Sequence, residues 1–318
     1  MTKEQLIVEL AHIPPQITNF RRISMRFRKF EPAKSWVLFS LIILASGFIL
    51  SGCAGKGQGI QIKGSDTMVN LSQAWAEAYM KENPTVSIAI TGGGSGTGVA
   101  ALINSTTNIA ASSRNMAPKE IKLANLNKVN PKEFKVAIDG MTIVVNLRNP
   151  VSKLTIPQLS DIYTGKITNW SQVGGPNRRI VALSRERNSG THVVFLNDVV
   201  KLGDKKSPNE FANTVLMMPS SQTIVEEVAS NQDAIGYLGL GYLNNRTKAL
   251  QVAKTGAGPY VYPDLETVAS GKYPLGRPLF LYTNGEPTGN VAKFISYVLS
   301  AEGQAIVKKM DFVPLKGK

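Results

Sequence analysis

The sequence predicts an α/β fold with mainly parallel sheets and a ligand cleft between two lobes. Two observations predict it. First, β-rich runs and amphipathic helical runs alternate from residue 60 to the end of the chain, the pattern of strands joined by crossover helices. Second, strands run into knots of Gly, Ser and Thr that open a helix. These are Gly64-Ser65-Asp66-Thr67, Gly92-Gly93-Gly94-Ser95-Gly96-Thr97-Gly98 and Ser189-Gly190-Thr191. In open α/β sheets ligands bind beyond the carboxyl ends of strands. Helix starts there offer free N–H groups and partial positive charge to an anion. The first two knots lie far from the third in sequence, and a cleft between lobes would bring them together.

Each element follows from its residues. Ile60–Lys63 reads as a short strand. Met68–Lys81 is a helix, with Leu71, Trp75, Ala78 and Tyr79 at helical spacing. Val86–Thr91 is a β-rich strand, Gly98–Ile103 a short helix and Asn108–Ala111 a strand. Pro118 marks the start of a helix over Lys119–Asn127. Phe134–Asp139 and Met141–Asn146 are strands on either side of Gly140. Thr155 caps a helix that carries Pro157 in its first turn and runs to Tyr163. Strands then follow at Arg179–Leu183, Ala234–Leu238 and Leu279–Tyr282. Helices follow at Thr191–Val200, Thr223–Ser230, Leu265–Ala269, Val291–Leu299 and Glu302–Met310.

The N-terminal segment has a different character. Trp36–Leu50 is a fifteen-residue apolar run behind a basic stretch. It is shorter than the roughly 20 residues of a membrane-spanning helix and has the length of a signal-peptide hydrophobic region. Residues 1–52 therefore read as a leader. Met25, followed by Arg26, Arg28 and Lys29, is the more conventional start, so the true start is expected there. Leu50-Ser51-Gly52-Cys53 resembles the bacterial lipobox, in which the cysteine is lipidated and becomes the mature N-terminus. Cys53 is the one cysteine of the chain, so no disulfide forms within it. Residues 53–59 read as a short flexible tether.

Net charge is +14, from 36 Lys and Arg against 22 Asp and Glu. A basic balance suits an anionic ligand, an anionic membrane surface or nucleic acid. The basic residues are scattered with few interleaved aromatics, which argues against nucleic acid. The Gly92–Gly98 loop lacks the Lys of a Walker loop, and no Asp or Glu stands between Glu82 and Glu120 to serve a dinucleotide fold. What remains is a loop of amides with the Ser95 and Thr97 hydroxyls. Ser112-Ser113-Arg114 closes another strand, and Arg185 precedes the Ser189–Thr191 helix start as a second arm of an oxyanion clamp. The histidines are His12, in the leader, and His192, adjacent to Thr191 on a helix and unable to face it. No metal-ligand cluster or cofactor motif is apparent. A non-catalytic receptor is the expected class. A phosphatase or serine hydrolase acting through Ser95 or Ser189 is the competing one, and a sensing or surface-adhering lipoprotein a third.

These segments, with Ile138-Asp139-Gly140-Met141, Asn169-Trp170, Val173-Gly174-Gly175-Pro176 and Ala234-Ile235-Gly236-Tyr237-Leu238-Gly239-Leu240, are together similar to the phosphate-binding lipoproteins of bacterial phosphate ABC transporters. The resemblance covers essentially all of residues 60–315, in order. It implies a two-lobed periplasmic-binding-protein-like (type 2) fold with two crossover strands, the first crossing near Ile138–Val145 and the return near Tyr242–Gln251. The lobes would be 60–138 plus 247–318, and 139–246. It implies a monomer, lipid-anchored through Cys53 on the outer face of the cytoplasmic membrane, that hands phosphate to the permease subunits. It further implies that phosphate meets Ser65, Thr67 and the Met68 amide, then Ser95, Ser113 and Arg114, and that Arg185, Ser189, Gly190 and Thr191 close from the second lobe. Some members carry an aspartate where Ser113 stands, accepting the proton of the bound phosphate. Here Asp139 is the candidate acceptor and Asp66 the second. Sulfate, molybdate and tungstate remain alternative ligands of the same fold.

Overall fold

The computed structural model describes residues 59–315. The leader, the start at Met25, Cys53 and the tether through residue 58 lie outside the described residues. In chain order the elements are β1 (Ile60–Gly64), α1 (Val69–Glu82), β2 (Ile88–Thr91), α2 (Ser95–Ile103), β3 (Ile109–Ser112), α3 (Pro118–Leu126), β4 (Pro131–Asn146), β5 (Lys153–Thr155), α4 (Ile156–Tyr163), β6 (Val181–Arg185) and α5 (Gly190–Phe195). They continue with β7 (Leu216–Met218), α6 (Ser221–Ser230), β8 (Ala234–Gly239), β9 (Thr247–Ala249), β10 (Gln251–Ala253), α7 (Leu265–Ala269), β11 (Gly276–Asn284), α8 (Gly289–Leu299) and α9 (Ala301–Lys309). The predicted helix starts hold: the Thr155 hydroxyl accepts from the Gln158 amide at 3.2 Å, and Pro118 sits in the first turn of α3. α5 is shorter than expected, because its ladder widens into a π turn over Leu196–Val200.

The strands form one sheet in the order β2-β1-β3-β11-β4-β8-β6-β7, with β9 also on β4; β5 and β10 pair separately. β1, β2 and β3 are parallel, as are β6, β7 and β8. β4 joins these two sets. Its first stretch runs antiparallel to β11, from Pro131 against Asn284 to Gly140 against Gly276, and the rest runs antiparallel to β8, from Met141 against Gly239 to Val145 against Ile235. The predicted break at Gly140 is absent. Continuous pairing overrides the turn tendency of Asp-Gly, and the bare Gly140 Cα is packed closely by Val268, whose Cγ2 would stand 2.6 Å from an added Cβ.

Of four hydrophobic clusters among the described residues, the two largest mark the two halves of this sheet. Ile62, Leu71, Trp75, Leu279 and Phe294 belong to one. Met141, Ile143, Tyr163, Trp170, Phe195 and Tyr237 belong to the other. Burial of apolar side chains in each stabilises its half, and this dominates over local propensity. The expected return near Tyr242–Gln251 needs correction. β9 pairs with β4 at Val144–Asn146, β10 pairs with β5, and Leu250, Val252, Val268, Tyr273 and Leu275 all join the second core. Residues 247–275, allotted above to the first lobe, therefore pack with the second, and the chain returns along β11. The signal was weak because β5, β9 and β10 are only three residues long each.

Candidate phosphate site

The three Gly/Ser/Thr knots meet. Helix α5, from the second half, abuts the turns after β1 and β3 and the start of α2, all from the first. The Thr67 and Thr191 hydroxyls lie 2.9 Å apart. The Ser95 and Ser113 hydroxyls lie 3.3 Å apart, and Ser95 Oγ accepts from the Ser113 amide at 3.0 Å. Gly190 faces both serines: a Cβ on it would fall 2.3 Å from Ser95 Oγ and 2.6 Å from Ser113 Oγ. All five residues are buried. The two halves are also clasped beside the cluster. The Gly96 amide donates to the Asn188 carbonyl at 2.9 Å, and Asn188 Nδ2 donates to the Gly93 carbonyl at 2.9 Å. Gly94, at φ 90°, lets its backbone pass so close to the Asn188 carbonyl that a Cβ would stand 2.7 Å from the oxygen.

An arginine the sequence reading did not single out lies at the centre. Arg277, on β11, is directly opposite Asp139 on β4. Its Nε and Nη2 donate to Asp139 Oδ2 at 3.0 and 2.8 Å, and Nη2 also reaches Thr191 Oγ1 at 3.0 Å. Both residues are buried, and Arg277 Nη1 has no hydrogen-bond partner. An unpaired buried guanidinium N–H is costly unless a ligand takes it. In the sequence Arg277 stands in Gly-Arg-Pro with no anion motif around it. Only the register of β11 against β4 reveals it.

Other predicted residues are placed differently. Arg185 is fully buried, but its donors go to Asp66 Oδ2 (2.6 Å), Pro219 and Met218 carbonyls (2.8 and 3.3 Å) and Ser221 Oγ (3.0 Å). It ties α6 and β7 to Asp66 in the other half. Arg114 turns to Glu120, with Nη1 and Nη2 at 2.8 and 2.7 Å from the two carboxylate oxygens. Burial alone would raise the Glu120 pKa, but Arg114 and the Ala117 amide outweigh it and hold the carboxyl below its usual range. The Ser189 hydroxyl caps α5 by accepting from the His192 amide at 3.4 Å, and the Met68 amide donates to the Ser65 carbonyl at 3.0 Å, closing the turn that Ser65 begins. Asp139 Oδ1 accepts from the Leu240 amide at 3.0 Å. Both candidate proton acceptors, Asp139 and Asp66, are thus engaged by arginines.

His192 lies against the second core, stacked on Phe211 with ring centroids 4.7 Å apart and with Nδ1 3.1 Å from Ser184 Oγ. Burial is the main cause that lowers its pKa from the ordinary 6.5. The unfolded chain binds this proton at higher pH than the native protein does, so native stability falls as pH drops below about 6.5. We expect H192F to flatten that part of the stability–pH curve, measured by urea denaturation at several pH values. An unchanged slope would refute the assignment.

A cavity of about 700 Å³ adjoins the cluster, sharing Ser113 and Arg277 with it. Among the described residues, no helix is long and apolar enough to cross a membrane and no His, Cys, Asp or Glu group is arranged for a metal.

Comparison with known proteins shows the family. The PBP superfamily domain matches residues 51–302. The phosphate-binding protein PstS of Staphylococcus saprophyticus is 31% identical over 301 residues, covering 90% of this chain and 92% of its own. That of Pseudomonas aeruginosa is 30% identical over 287 residues, covering 84% and 85%. Among solved structures, a phosphate ABC transporter substrate-binding protein with bound phosphate from Clostridium perfringens is 33% identical, covering 81% of this chain and 100% of its own, with TM-score 0.72. An ABC-type phosphate transport receptor from Vibrio cholerae is 30% identical, covering 80% and 100%, with TM-score 0.64. The chain belongs to the PBP superfamily and, within it, to the family of the PstS phosphate-binding proteins.

Proposed function

We infer that this protein binds inorganic phosphate between its two lobes and delivers it to an ABC-type phosphate permease. The carrying observation is the convergence of Thr67, Ser95, Ser113, Gly190 and Thr191 from two halves of the sheet upon Arg277, whose Nη1 lacks a partner. Hydroxyls and main-chain amides suit a tetrahedral oxyanion, and the arginine supplies the charge. Charge-assisted hydrogen bonds contribute about 1.5–3 kcal/mol each, and a micromolar Kd requires about 8 kcal/mol, so a few of them suffice. In this reading Arg185 and Asp66 latch the lobes, Ser189 shapes the helix start and Asp139 orients Arg277. No step of the reading is catalytic. His192 supports this, since it is committed to Ser184 and Phe211 rather than to the serines of the cluster.

Calorimetric titration of refolded, anion-free protein tests the assignment. Phosphate is expected to bind at micromolar Kd or tighter, with sulfate, molybdate and tungstate much weaker. Preference for one of those three would overturn phosphate as the ligand.

We further propose that the mature chain begins at Cys53, is lipidated there, and works as a monomer on the outer face of the cytoplasmic membrane. The lipobox-like Leu50–Cys53 after a short apolar run supports this. C53S should release the protein from the membrane fraction. Retention of the variant in membranes would count against the anchor.

A further inference from the structure

The cavity beside the cluster is far larger than a lone phosphate needs. At about 700 Å³ it lies in the range of pockets that hold drug-sized ligands. It meets the site at Ser113 and Arg277 and runs outward past Arg114, Lys119, Arg187 and Lys205. Two features of this wall point to an anion. Arg277 and Arg114 each keep one buried guanidinium N–H without a partner, Nη1 and Nε respectively. In the phosphate reading Arg277 Nη1 belongs to the hydroxyl cluster, whereas Arg114 lies beyond Ser113, and its Nε is left over once Glu120 has taken both terminal nitrogens. In addition, Lys119, Arg187 and Lys205 are exposed and form no ion pair among the described residues. Of the five cationic groups on this wall Arg277 is paired with Asp139 and Arg114 with Glu120, which leaves Lys119, Arg187 and Lys205 against one further carboxylate, Asp198.

From this we propose that the protein also takes phosphates that carry a second anionic group, with inorganic diphosphate as the simplest case. Resting on the phosphate reading above, the proposal places one phosphoryl group in the hydroxyl cluster and the second in the adjoining cavity. The bridging oxygen leaves the cluster between Ser113 and Arg277, where site and cavity share their wall. The second phosphoryl then faces the three free cations, Lys119, Arg187 and Lys205. A neutral substituent of the same size gains nothing from those charges, so the cavity selects for anionic extension and not for bulk. Charge spread over exposed lysines and arginines also draws a polyanion toward the opening before the halves close.

The test is competition calorimetry with three probes, inorganic phosphate, inorganic diphosphate and methyl phosphate, on the wild type and on the triple variant K119Q/R187Q/K205Q. Phosphorus NMR checks that the diphosphate is intact. In the wild type, diphosphate is expected to displace phosphate with a Kd within about tenfold of it, and methyl phosphate to bind more weakly than diphosphate. In the triple variant, diphosphate affinity is expected to fall at least about tenfold while phosphate affinity changes by less than about threefold. Diphosphate that fails to displace bound phosphate overturns the proposal. So does a triple variant that affects both ligands equally or neither. A protein that binds no phosphate at all removes the reading on which the proposal rests, and phosphate binding without diphosphate binding removes the proposal alone.

Discussion

G190A is expected to abolish tight phosphate binding while leaving the fold intact. The added Cβ would lie 2.3 Å from Ser95 Oγ, 2.6 Å from Ser113 Oγ and 3.0 Å from Ser95 Cβ. A hydroxyl can rotate away from such a clash. Here rotation takes Ser95 Oγ from the Ser113 amide it accepts at 3.0 Å and draws both hydroxyls from the anion. The alternative is incomplete closure, because the methyl sits on one half and both serines on the other. Overpacking of this kind costs about 1–3 kcal/mol, and loss of the ligand contacts adds to it. We therefore expect a loss of at least about a hundredfold in affinity. Gly190 opens α5 at negative φ, a conformation alanine adopts freely, so ligand-free thermal stability should be near that of the wild type. Calorimetry and ligand-dependent melting together check this. A variant that binds phosphate normally would place the site elsewhere.

R277A is expected to lose both binding and stability. Asp139 is wholly buried, and the Leu240 amide is its remaining donor once the guanidinium is gone. Removing one partner of a buried ion pair costs about 3–5 kcal/mol. The same substitution removes the cation that contacts Thr191 and carries the unpartnered Nη1. The double variant R277A/D139N separates the two effects. It should recover part of the stability in urea denaturation and none of the phosphate affinity. Recovery of affinity in the double variant would show that Arg277 serves only to neutralise Asp139.

Much of this was readable from residues alone, for identifiable reasons. The strand ends with Gly, Ser and Thr are local features, and Thr67, Ser95, Ser113, Gly190 and Thr191 do converge. The partners of the two expected arginines were not readable, because proximity in sequence says nothing of what a long side chain meets. Arg114 found Glu120 six residues on, and Arg185 found Asp66 across the cleft. Arg277 was missed because its partner is 138 residues away, and only a strand pairing puts them opposite each other. The return of the chain was misplaced for a related reason: the three-residue strands β9 and β10 hold residues 247–253 to the second half by pairing, with hardly any pattern of their own.

The pairing of β4 with β11 has a mechanical consequence. The site residues are buried where the two halves meet, with the adjoining cavity reaching them at Ser113 and Arg277. β4 is the strand that runs from one half to the other, and β11 lies beside its first stretch, entering the first half at Gly276 opposite Gly140. Asp139 and Arg277 pair one residue before β4 crosses over at Gly140, so a bend of the halves about that crossing would move them least. In such a bend the cation would act as the anvil of the jaw, and the hydroxyls of α5 would be the part that swings. An arriving anion would then dock first on a nearly stationary charge, with the neutral donors of α5 brought to it by the bend.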